Sequence, residues 1–229
     1  MVFQPSHQSD TGDGYGEAGS CDAIVGYAMG TAPHYREFKV WSYNEPGLHH
    51  ARTGTNTMRA HTSAEENGKI SGYAWEVGRA NALGAAVFIS VHHNAGTGRH
   101  AVWAFVHDGD RDEGGSRVLA GILAEEVALA TDLENRGVYP DSSTGRNDYR
   151  CQATGRLAFY SLDENVNKAP YRALLEIGDM GRDGDFLRDK RNRKAIGKAI
   201  KRGIARFLSR IGSTAYDAGP EADRARPPR

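Results

Sequence analysis

Residues 88–96 read Phe-Ile-Ser-Val-His-His-Asn-Ala-Gly, so two adjacent imidazoles stand where a hydrophobic run gives way to a turn. In α/β proteins, ligands and reacting groups gather at the carboxyl ends of strands. His7 follows the apolar opening Met-Val-Phe-Gln-Pro, and Glu176 closes the apolar run Tyr-Arg-Ala-Leu-Leu-Glu-Ile-Gly at 171–178. Glu17 stands ahead of a short segment carrying Ile24, Val25 and Tyr27, which reads as a helix. If the three strands run parallel, all these groups face one crevice. Two histidines and a carboxylate with an open fourth position make a hydrolytic zinc arrangement. The ion lowers the pKa of its bound water toward ~7 and polarises a scissile carbonyl. A second carboxylate then accepts the water's proton and passes it to the leaving amine. His7, Glu17 and His92 as ligands and Glu176 as acid/base fill the four roles. From spacing alone, however, a strand-end histidine is more often a satisfied surface residue, and Glu176 an ion-pair partner. No HExxH motif argues otherwise.

The elements that would position these groups alternate between strand and helix. "AAVFISV" (85–91) is a continuous apolar run, as a strand buried on both faces would be. "EFKVWSY" (37–43), "AVWAFVHD" (101–108) and "YRALLEIG" read as further strands, and "LAFYSL" (157–162) as a short one. Ser63 with Glu66 forms a capping-box pattern. Behind it Ile70, Tyr73, Ala74, Val77 and Ala80 recur at helical spacing. A second helix falls in 114–131, and Ile196, Ile200, Ile204, Phe207 and Leu208 mark a third, strongly amphipathic one. Residues 44–62 and 132–155 read as loops. The pattern predicts a single α/β domain over 1–212: a mainly parallel twisted sheet, flanked by helices on both faces, with the site at the carboxyl edge of its strands. Residues 213–229 read as a disordered tail.

Composition narrows the function. The 229 residues are 39% hydrophobic and 25% charged, enough for a packed core. A formal net charge of zero argues against a nucleic-acid binder that works by neutralising phosphates. The balance is uneven: Arg182–Arg210 holds 11 Lys/Arg against 3 Asp/Glu. That segment is either a solvated helix face or a surface for an anionic polymer. Cys21 and Cys151 show no CxxC spacing, so neither a thiolate zinc site nor a disulfide framework is indicated, although one disulfide between them stays open. No apolar run reaches the ~18 residues of a membrane span. The N-terminus lacks the pattern of a secretory signal, so a protein soluble as made is expected, with delivery to any extracytoplasmic target by another route.

Four stretches resemble the type 3 N-acetylmuramoyl-L-alanine amidases, zinc enzymes of bacteria and their phages that cut peptidoglycan. "FQPSHQSDTG" is similar to the family's opening strand and its His-Gly-Gly-x-Asp-Pro-Gly loop. "RANALGAAVFISVHHNA" resembles its Arg-x-x-x-Ala-Asn…Phe-Ile-Ser-Ile-His-Ala-Asn-Ala stretch, "ALLEIGDMGRDGDFL" its Leu-Val-Glu-x-Gly-Phe segment, and "RKAIGKAIKRGIARFL" its closing helix. The resemblance implies one Zn2+ held by His7, Glu17 and His92, with Glu45 in "YNEPG" as the alternative carboxylate. It implies Glu176 as acid/base, peptidoglycan as substrate, and cleavage between N-acetylmuramic acid and L-alanine. His93 and Asn94 stand as candidate substrate-binding residues. His93 reads equally as an outward-facing strand end, and Asn94 as a turn residue. The pattern also departs from the family: Ser6, Gln8 and Ser9 replace glycines, and Asp179 replaces the phenylalanine after Glu-x-Gly. Two rivals remain on sequence grounds, a zinc amidohydrolase of small N-acyl amino acids and a non-catalytic wall-binding homologue. An activating or delivering partner fits either an endolysin or an autolysin.

Overall fold

The computed structural model describes residues 1–6, 16–29, 72–82, 84–108, 113–145 and 149–217. His7, Glu45, the 37–43 strand and the Ser63–Glu66 capping box lie outside the described residues. Five strands form one sheet: β1 (Val2–Pro5), β2 (Val87–Asn94), β3 (Ala101–Val106), β4 (Glu134–Pro140) and β5 (Tyr171–Asp179). Their spatial order is β1-β2-β5-β3-β4. Three of the four pairings are parallel, but β3 meets β5 antiparallel, so the sheet is mixed rather than uniformly wound. The three strands predicted to aim their carboxyl ends at one edge, β1, β2 and β5, do run together.

Alternation along the strands sends opposite side chains to opposite faces. Ile89, Val91, Val102, Ala104, Ala173, Leu175 and Ile177 face one side. Helices α1 (Glu17–Met29), α3 (Glu113–Ala130) and α5 (Lys190–Asp217) cover it with Ile24, Val25, Leu119, Leu123, Val127, Ile196, Ile200 and Phe207. Each such fully buried aliphatic or aromatic side chain stabilises the fold by roughly 1.5–3 kcal/mol. α5 crosses α1 at Gly197, where a Cβ would stand 2.6 Å from the Ile24 carbonyl oxygen, so no larger residue fits that crossing. α5 continues through Gly212, past the predicted end of the domain, to Asp217.

The other face is covered differently. α2 (Gly72–Ala82) lays Val77 and Ala80 against Val2 and Phe88. Beside it, residues 149–170 pack Phe159 and Leu162 onto Phe105 and Leu174. The apolar run 157–162 is therefore core-forming without being a strand. Its backbone turns back on itself, with the Leu162 and Asp163 amides both donating to the Phe159 carbonyl. Asn81 ties α2 to this cover: its amide donates to the Val166 carbonyl at 2.8 Å and its oxygen accepts the Lys168 amide at 2.8 Å. A short helix, α4 (Gly184–Arg188), follows β5.

Candidate active site

His92 and Glu176 are register partners on adjacent parallel strands, and Trp103 on β3 is the antiparallel partner of Glu176. The three residues form a row across the sheet, on the face covered by α2 and residues 149–170. Neighbouring members of such a row stand about 5 Å apart at the backbone. His92 and Glu176 are both buried, while Trp103 is half-buried against Phe105, Phe159 and Leu162.

Glu17 reaches this row from the first residue of α1. It is 1% exposed, and one carboxylate oxygen, Oε1, lies 3.2 Å from Nδ1 of His92. The same oxygen accepts the His93 backbone amide at 3.1 Å. Burial alone would raise the Glu17 carboxyl, but the His92 ring and the His93 amide outweigh it and hold it at about 2. Glu17 is a carboxylate at neutral pH.

The far nitrogen of His92 begins a buried chain. Nε2 lies 3.1 Å from the Ser90 hydroxyl, which donates to Gln4 Oε1 at 2.8 Å, and Gln4 Nε2 donates to Glu76 at 2.6 Å. Because the Ser90 proton is committed to Gln4, the Ser90 oxygen accepts, and His92 must carry its proton on Nε2. Nδ1 is then the nitrogen that faces the Glu17 carboxylate, and a proton on it gives the ion pair that depresses Glu17. A carboxylate oxygen and an imidazole nitrogen 3.2 Å apart can share a proton or, once that proton leaves, a metal ion. Two donors on a tetrahedral zinc stand about 3.4 Å apart, given metal–ligand bonds of 2.0–2.1 Å. Glu17 and His92 therefore fit the ion that the sequence implies. Ser6, the last described residue ahead of His7, bonds through its amide to the Val91 carbonyl at 2.8 Å, so β1 leads up to the level of His92.

The neighbouring pair behaves otherwise. His93 is buried on the opposite face, with Nδ1 donating to the Ile177 carbonyl at 2.6 Å and Nε2 3.0 Å from the Ser20 hydroxyl. Burial pushes its pKa down to about 4, so the ring is neutral. It packs α1 against β5 instead of facing outward. Asn94 folds its side-chain oxygen onto the Ala95 amide at 2.9 Å, the local bond of a turn residue.

Asp179, one of the departures noted in the sequence, has a clear task. Its Oδ2 accepts the Thr97 amide, the Thr97 hydroxyl and the Gly98 amide at 2.6–2.9 Å, and its Oδ1 accepts the amides of Gly181 and Arg182. The loops leaving β2 and β5 are thus bound to one carboxylate beside the site. Gly178, just before it, has φ +68°, and a Cβ there would stand 3.2 Å from Leu187 of α4.

A second group of metal-capable donors was not foreseen. His107, Cys151 and Asp163 are all buried, with one ligand atom from each within 4.8 Å of the others. No CxxC spacing marks them, because the fold gathers them from three distant segments. Cys21 and Cys151 are both free, so the disulfide left open by the sequence does not form.

Residues 54–206 match the family model described as N-acetylmuramoyl-L-alanine amidase. The chain belongs to this family, the type 3 amidases. The match takes in His92, His93, Asn94 and Glu176 and begins after His7 and Glu17. Among solved structures, the chain resembles the CwlD amidase from Clostridioides difficile, determined in complex with the GerS lipoprotein. There the identity is 19% and the TM-score 0.53, over 83% of this chain and 85% of that one. It also resembles an N-acetylmuramoyl-L-alanine amidase from Clostridium difficile 630, at 13% identity and TM-score 0.59 over 90% and 95% of the two chains. The catalytic domain of CwlV from Bacillus (Paenibacillus) polymyxa var. colistinus gives 16% and 0.56 over 91% and 97%. At these identities the likeness establishes a shared fold. No curated protein matches the chain.

Proposed function

We propose that the chain, through a catalytic domain spanning about residues 1–212, hydrolyses the amide between N-acetylmuramic acid and L-alanine of peptidoglycan with the help of one zinc ion. The observation that carries the chemistry is the buried 3.2 Å approach of Glu17 Oε1 to His92 Nδ1, with Glu176 on the next strand beside His92. Family membership supports the substrate. Glu17 and His92 would hold the ion, with His7 as third ligand at the end of β1. When bound, zinc supplies Lewis acidity and a water of lowered pKa.

Glu176 accepts the proton of the attacking water and returns it to the departing amine. The chain Ser90–Gln4–Glu76 keeps His92 in the Nε2–H tautomer, so that Nδ1 is the ligating atom. Trp103, beside Glu176 and half-exposed, forms one wall of the approach. Asn94 shapes the loop that bounds the cleft, and His93 supports the site from behind. The target is the bacterial wall, as for a phage lysin or an autolysin, reached with a delivering or activating partner. Among the described residues no helix is long and apolar enough to cross a membrane.

The test is mass spectrometry of purified peptidoglycan after incubation with the zinc-loaded protein, alongside Glu176→Ala. Stem peptides beginning at L-alanine, released by the wild type only, establish the bond cut and the acid/base residue. Intact sacculi together with cleavage of soluble N-acyl amino acids would replace this reading with a small-amide hydrolase.

A further inference from the structure

His107 is the first residue beyond β3. Since β3 runs antiparallel to β5 and Phe105 pairs with Leu174, His107 lies toward the amino end of β5. Four residues separate that level from Glu176, about 13 Å along the strand. Cys151 and Asp163 approach it from the irregular segment 149–170 that covers this face. The cluster is thus separate from Glu17, His92 and Glu176.

Its geometry is that of an oriented ligand set. Asp141 accepts the Asp108 and Phe159 amides at 2.9 and 3.0 Å, which fixes its carboxylate, and that carboxylate lies 3.0 Å from His107 Nδ1. With Nδ1–H committed to Asp141, Nε2 is the nitrogen turned to Cys151 and Asp163. Against the lowering effect of burial, Asp141, Asp163 and Cys151 raise the ring to about 9, so a cation there would take the place of the Nε2 proton. A carboxylate behind one imidazole nitrogen is the usual way a metal-binding histidine is oriented. Nε2 stands 3.9 Å from Asp163 Oδ1, too far for a hydrogen bond. That separation is near the about 3.4 Å between two donors on a tetrahedral zinc. Asp163 is held in turn by the Tyr149 hydroxyl at 2.7 Å. The Asn165 side-chain amide reaches both Asp163 Oδ1, at 2.8 Å, and Cys151 Sγ, at 3.8 Å. The two electron-rich atoms therefore already converge on one electropositive group, whose place a cation would take.

We propose that His107, Cys151 and Asp163 bind a second divalent cation of the zinc type, in a structural site. A thiolate, an imidazole and a carboxylate together select zinc or its analogues over calcium and magnesium. Cys151 is 1% exposed, which shuts the site to substrate and suits it to bracing. Binding would release the Nε2 proton of His107 and the thiol proton of Cys151 in exchange for the metal. The bond would join the end of β3 to residues 149–163, adding to the Phe159 amide on Asp141 and the Arg156–Asp108 ion pair that already tie the segment there. It would steady the packing of Phe159 and Leu162 on Phe105 and Leu174, and with it the cover of the face that carries Glu176.

Co2+ is the probe, added to metal-stripped protein and followed by absorption. Sulfur-to-cobalt charge transfer reports only a site with a thiolate, and the chain has two cysteines. The expected result is a near-ultraviolet charge-transfer band that saturates within two equivalents, persists in Cys21→Ala and Glu17→Gln, and is lost in Cys151→Ser. Persistence in Cys21→Ala assigns the band to Cys151 even if the Cys151 variant fails to fold. A wild type that binds Co2+ without the band, or a band that vanishes in Cys21→Ala, overturns the proposal.

Discussion

Oε1 of Glu17 is shared between the ring of His92, at 3.2 Å, and the backbone amide of His93, at 3.1 Å. One oxygen thereby fixes the start of α1 against the end of β2. The arrangement gives the carboxylate a definite direction before any metal arrives. Glu17→Gln keeps the shape but puts an amide where a charge is required. Zinc affinity should fall by more than the about 10–100-fold that loss of an outer-shell partner costs. Metal content after dialysis against a weak chelator measures this; unchanged zinc would exclude Glu17 as a ligand and redirect attention to Glu45.

In the proposed mechanism Glu176 moves a proton, whereas Glu17 holds an ion. Glu176→Gln should therefore leave zinc content unchanged while kcat drops on the order of 10²–10⁴-fold. Parallel metal analysis and stem-peptide release separate the two roles. Simultaneous loss of zinc would make Glu176 a ligand.

The parts of this arrangement that the sequence disclosed share a physical cause. β2 and β5 are buried on both faces, so their side chains form unbroken apolar runs, and the polar residues that end those runs, His92 and Glu176, stand out. α3 and α5 declare themselves through a 3.6-residue period, since each buries one stripe on the sheet. β4 does not, because Glu-Asn-Arg-Gly-Val-Tyr-Pro is an edge strand with no fully buried residue and almost no β-branched ones. Residues 157–162 mislead in the opposite direction: Phe159 and Leu162 are apolar because they fill a pocket, while the backbone makes turns. The pairing of β3 against β5 depends on how the chain crosses over, which local pattern does not encode. Cys151, His107 and Asp163 were unreadable for the same reason, since only the tertiary fold brings them together.

Ser90 illustrates a site residue hidden by its setting. A serine within an apolar strand reads as a tolerated small residue, yet its oxygen links His92 to Gln4. Ser90→Ala removes that link and leaves Gln4 Oε1 without its donor in a buried position, costing about 1–3 kcal/mol. It should also lower metal affinity or turnover by about 10–100-fold by freeing the His92 tautomer. Thermal denaturation and zinc titration together test this, and a variant that loses stability alone would limit Ser90 to a packing role.

Asp179 gives a clear pH dependence outside the proposed metal ligands. Burial would raise its carboxyl, but the Thr97 hydroxyl and the amides of Arg182, Gly98 and Thr97 prevail and hold it below its ordinary value. A carboxyl depressed in the folded state stabilises the protein above its unfolded pKa of about 3.9, and that contribution is lost as pH falls through the folded value. Asp179→Ala should cost about 3 kcal/mol at neutral pH, since several charge-assisted hydrogen bonds disappear together. In a chain of this size that is a Tm lower by about 6–12 °C. The gap between wild type and variant should stay constant from pH 7 to about 5, begin to narrow as pH falls past the unfolded pKa of about 3.9, and close only below the depressed folded value. Tm measured across that range decides the matter: a gap that persists at low pH would mean that the two loops are held by packing and not by the Asp179 charge.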